Sequence, residues 1–104
     1  MIKFNRYPHV GSIIEYYAKE LNRNGIEELL KADIHSEEEA IIFSKFILTM
    51  IDHIAIDMQN GISVIGSKDN TSMIPDIDYE VSLYLSNRGL EEVWNRICDE
   101  ESQV

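Results

Sequence analysis

From Ser36 to about Gln59 the chain carries apolar residues around most of a helical circumference: Ile41, Ile42, Phe43, Phe46, Ile47, Leu48, Met50, Ile51, Ile54, Ile56 and Met58. Only a narrow polar stripe remains, at Lys45, Thr49, Asp52, His53 and Asp57. A helix this apolar is a central one, wrapped by other elements. Its start is written locally. Ser36 with Glu39 makes a capping box, and Glu37, Glu38 and Glu39 complement the positive end of the helix dipole. Its stop is Asn60-Gly61. The same dipeptide also reads as a type I′ hairpin joining residues 56–59 to 62–65. That register would set Met58 against Ser63 and Asp57 against Val64, apolar opposite polar, so the helix stop is preferred.

Other helices surround this one. Ser12 with Glu15 forms a second capping-box pattern, and Ile14, Tyr17, Ala18 and Leu21 follow at helical spacing, predicting a helix over residues 12–24 that ends at Asn24-Gly25. A short helix with Ile26, Leu29 and Leu30 on one face comes next. After Gly89, the residues Leu90, Val93, Trp94 and Ile97 mark a terminal helix, with Trp94 in the core.

The second half also carries strand-like patterning. Ile62-Ser63-Val64-Ile65, between two glycines, is a short strand candidate, and residues 66–75 are turn chemistry. Ile77, Tyr79, Val81, Leu83 and Leu85 then alternate with polar residues, the period of a half-buried strand. A helix through Ile77, Val81, Tyr84 and Leu85 competes with it but leaves Tyr79 and Leu83 on another face. Ile2 and Phe4 alternate in residues 1–5, a candidate edge strand. The expected fold is therefore α+β. It has about three N-terminal helices including the long central one, a small antiparallel sheet from about 62–65 and 77–85 with 1–5 as a candidate third strand, and a C-terminal helix.

The 104 residues suit one compact domain over 1–104, with the acidic end 99–104 as a fraying tail. A hydrophobic content of 44% is enough for a real core. The N-terminus lacks the apolar stretch of a secretory signal, and no apolar run approaches the roughly 20 residues of a membrane span. A soluble, cytoplasmic protein is expected. The single cysteine, Cys98, excludes an internal disulfide and a cysteine-based zinc site. Its acidic neighbours Asp99, Glu100 and Glu101 would raise a thiol pKa, which favours a packed structural cysteine.

Charge narrows the partners. Nineteen acids face nine bases, and residues 1–35 carry five of each, so the net −10 arises entirely within residues 36–104. Such a surplus repels nucleic acid and favours a basic protein. On an extended strand Asp76, Asp78 and Glu80 would point to one face, about 7 Å apart, with Tyr84 beside them. That row, together with Asp52 and Asp57 on the central helix, is the expected partner-binding surface: carboxylates to steer and register, tyrosine for buried contact. Asp76-x-Asp78-x-Glu80 also opens like a calcium loop, but Val81 and Asn87 stand where that loop needs Gly and Glu. His53 and Asp57, four apart, are spaced for an imidazole–carboxylate pair; a surface ion pair is the simpler account.

No catalytic, cofactor or metal motif emerges. The leading expectation is a small acidic, non-enzymatic protein that neutralises a basic partner, as an immunity protein or antitoxin blocks the positive cleft of a toxin nuclease. A regulatory or adaptor protein binding through an apolar surface is the alternative. A small enzyme using His53 and Asp57 is the least supported.

Overall fold

The structure, a computed structural model, describes residues 2–21, 25–61 and 73–102, with Met73 and Ser102 by backbone alone. Among the described residues every regular element is an α-helix: α1 (Pro8–Glu20), α2 (Ile26–Lys31), α3 (Glu37–Gln59), α4 (Met73–Ser86) and α5 (Glu91–Ser102). The expected α+β sheet is therefore overturned. Residues 77–85 lie within α4. Residues 2–4 belong to no regular element; the Ile2 N–H donates to the Leu30 carbonyl at the end of α2, at 2.9 Å. The candidate strand 62–65 and turn residues 66–72 lie outside the described residues, and 73–75 already belong to α4.

The failure at 77–85 has a physical reason. Ile77, Val81, Tyr84 and Leu85 satisfy a helical stripe as well as they satisfy alternation, and all four are buried. A helix also pairs its own backbone groups, whereas a strand needs a neighbour to do so. The two residues that the stripe leaves over, Tyr79 and Leu83, stand at the surface, 44% and 39% exposed. Helix α4 then turns sharply into α5. Gly89 has φ +71, its N–H donates to the Ser86 carbonyl, and the Leu90 N–H reaches back to the Leu85 carbonyl at 2.8 Å. This is a Schellman closure, which needs a left-handed residue at Gly89.

The central helix matches its sequence closely. Ser36 Oγ accepts the Glu39 N–H at 3.1 Å, as a capping box requires. The return arm is displaced by one residue: Glu39 Oε1 accepts from the His35 N–H, at 3.1 Å, and from the Ser36 hydroxyl. At the other end Gly61 has φ +74 and donates to the Met58 carbonyl, so Asn60-Gly61 does stop the helix. The wrapping is incomplete, however. Phe43, Ile47, Met50 and Ile54 are fully buried, while Ile42 and Ile56 share an exposed strip with Lys45 and Asp52.

Helix α1 starts a turn before the expected Ser12. Pro8 occupies its first turn, where a fixed φ and a missing N–H cost nothing, and Ser12 lies inside the helix, exposed. Helix α3 packs against α5, α1 and α2, and α4 packs against α5 and α1. Across the core, the rings of Phe4 and Phe43 both approach Tyr84, with centroids 6.1 and 6.3 Å away. Burying each large apolar side chain here contributes about 1.5–3 kcal/mol. Trp94 is among them, as expected.

Candidate interaction surface

A helix turns about 100° per residue, so making α4 helical takes the expected acidic row apart. Asp76 and Glu80, four apart, share the side that meets α1. Asp78 points elsewhere and is exposed. Glu80 is only 3% exposed, and its Oε1 accepts the backbone N–H of Tyr7 at 3.0 Å. Asp76 Oδ2 lies 3.3 Å from His9 Nε2. Tyr7 is the N-cap of α1, which has no side-chain cap of its own and no acid in its first turn. Two carboxylates of α4 thus sit where α1 needs acceptors and negative charge. They hold two helices together.

Tyr84 is likewise internal. Its hydroxyl donates to Asp33 Oδ1 at 3.0 Å and accepts the Ile34 N–H at 3.1 Å. Arg88 stacks over its ring, with Cζ 3.6 Å from the centroid, and reaches the same Asp33 oxygen at 3.1 Å. Hydrogen bonding from Tyr84, and after it Arg88, holds Asp33 below the usual aspartate range. Burial is the main force pushing the Tyr84 phenol up, and Asp33 adds to it. This cluster ties the α2–α3 connection to α4.

Asp57 is also engaged: the buried Tyr17 hydroxyl donates to its Oδ2 at 2.7 Å. Burial first, and Asp57 second, push the Tyr17 phenol well above its ordinary value. The carboxylate that would orient His53 is therefore bonded to α1 instead. Of the six residues expected to meet a partner, only Asp52 and Asp78 are exposed, on different helices. Asp76 and Asp57 are half-buried, and Glu80 and Tyr84 are buried. The calcium-loop pattern lies in helix. Among the described residues no group of three or more His, Cys, Asp or Glu is placed to hold a metal. Cys98 is half-buried, and burial, followed by the charges of Asp78 and Asp99, raises its thiol pKa.

A different surface comes forward. Tyr79 and Leu83 lie one turn apart on the outer face of α4. The Arg6 guanidinium stands over the Tyr79 ring, with Cζ 5.6 Å from its centroid. Tyr7 meets Tyr79 edge to face at 5.9 Å and His9 at 6.0 Å. The signal for this patch was in the sequence, as the pair left over by the helical stripe. A second feature is a shallow cleft of about 330 Å³ between α1 and α2, lined by Glu15, Ala18, Lys19, Glu27, Leu30 and Lys31. Its charges are mixed. Among the described residues no helix is long and apolar enough to cross a membrane. Comparison with protein-family models, with curated proteins and with solved structures finds no match to this chain.

Proposed function

We propose that the chain is a non-enzymatic binding protein that captures a basic protein partner, in its most specific form an immunity protein or antitoxin held against a toxin nuclease. The observation that carries this reading is where the acid surplus remains once the internal bonds are made. Glu80, Asp76 and Asp57 are engaged within the fold. Yet α5 still exposes Glu91, Glu92, Glu100 and Glu101, while its one base, Arg96, is paired with Glu37 at 3.1 Å. Asp52 and Asp78 add to this on α3 and α4. The net −10 is thus largely a surface property.

A nuclease cleft is positive because its substrate is a polyanion. A surface rich in carboxylates competes for that cleft, and long-range attraction speeds the encounter. The test is to retain a partner on the immobilised chain, identify it, and follow its association rate as salt is added. The reading predicts a basic protein whose on-rate falls at least about tenfold between low and physiological ionic strength. An on-rate that ignores salt contradicts it. That outcome would favour a second reading, an adaptor binding through apolar contact, for which the exposure of Tyr79 and Leu83 speaks.

A further inference from the structure

The geometry points to the outer face of α4, at Tyr79 and Leu83, as the place where an arginine-bearing segment of a basic protein docks, its guanidinium replacing Arg6 on the Tyr79 ring. The inference rests on the reading of the chain as a captor of basic protein and names the surface that does the capturing.

Exposure alone does not establish such a site, since single apolar residues are common on protein surfaces. The contrast between two arginine–tyrosine stacks on one helix says more. Over Tyr84, Arg88 lies 3.6 Å from the ring centroid and is fastened by Asp33 and by the Tyr84 carbonyl at 3.1 Å. That stack is locked. Over Tyr79, Arg6 lies at 5.6 Å, near the outer limit of about 6 Å for a cation–π contact, and among the described residues it makes no ion pair. The ring therefore already receives a guanidinium, held loosely and at the surface, where another can take its place.

Leu83 completes the chemistry. It sits about 6 Å further along the axis, within reach of the aliphatic stem of an arginine whose head covers Tyr79. Charge selects the occupant. Asp78 adjoins Tyr79 and is exposed, and the chain as a whole is strongly acidic, so a cationic segment is drawn in. A second copy of the chain would bring −10 against −10, which opposes self-association.

The test uses the full chain, nitrogen-15 labelled, and a synthetic alanine-based helical peptide with arginines four residues apart. Its glutamate counterpart is the control. Chemical-shift changes should centre on Tyr79, Leu83 and Arg6. Y79L, which keeps apolar area without the aromatic face, should weaken binding about three- to tenfold, while Y79F should bind like the parent. R6Q should strengthen binding more than K45Q, which makes the same charge change on the outer face of α3. If the arginine peptide binds but its shifts centre on the acids of α5, or Y79L binds unchanged, this surface is wrong and charge-driven capture still stands. If R6Q gains no more than K45Q, Arg6 is not the stand-in. If neither peptide binds at low salt, both the surface and the capture reading fall.

Discussion

Glu80 accepts a hydrogen bond from the backbone N–H of Tyr7, 73 positions earlier in the chain, at 3.0 Å. That single contact turns a residue expected to face a partner into one that binds the start of a helix. Together with Asp76 opposite His9, it attaches the uncapped start of α1 to α4. The acidity of α4 is therefore divided between an inner pair that serves the fold and Asp78, which faces solvent.

Tyr84 should matter to stability more than its single hydroxyl suggests. Y84F leaves the Ile34 N–H without its buried partner, a loss of about 1–3 kcal/mol that urea unfolding at neutral pH would register. The same substitution changes acid behaviour. Because Asp33 is depressed in the fold, the unfolded chain binds protons first as pH falls. Its stabilising contribution is complete above the ordinary aspartate range and is lost as pH drops through the lower folded value. In Y84F that loss should shrink and shift upward in pH.

At alkaline pH the sign reverses. Tyr17 and Tyr84 both hold their protons longer in the fold than in the unfolded chain. Their contribution is whole below the ordinary tyrosine value of about 10 and declines as pH rises beyond it. Denaturation curves from pH 8 to about 11 should show this fall, and Y17F should flatten it. At neutral pH Y17F should cost about 1 kcal/mol, since half-buried Asp57 loses a hydroxyl donor but keeps some access to water.

Ser44 offers the opposite outcome. It is fully buried on α3, and its hydroxyl finds no hydrogen-bond partner among the described residues. S44A removes an unsatisfied polar group and improves helix propensity, so it should stabilise the protein by about 0.5–1.5 kcal/mol. A melting temperature that rises without any change in unfolding cooperativity would confirm this.

The parts of the fold legible in the sequence were those with local punctuation. Ser36, Gly61 and Gly89 mark ends that the backbone obeys, and the stripes of α2 and α5 have one reading each. Residues 77–85 had two, because Tyr79 and Leu83 complete an alternation that burial ignores. The start of α1 was obscured by a capping-box pattern inside the helix, at Ser12 and Glu15, which outshone Pro8. The acidic surface was misplaced for a deeper reason. The partners of Asp57, Glu80 and Tyr84 lie 40, 73 and 51 positions away along the chain, and no local pattern announces them.

The most direct measurement compares the stabilities of E80Q and D78N by urea unfolding at neutral pH. In E80Q the amide oxygen can still accept from the Tyr7 N–H, but without the charge that favours the start of α1, so this variant should lose about 1–2 kcal/mol. D78N, at an exposed position, should stay within about 0.5 kcal/mol of the parent. Equal stabilities for E80Q and the parent would contradict the division of α4 into an inner structural pair and a solvent-facing side.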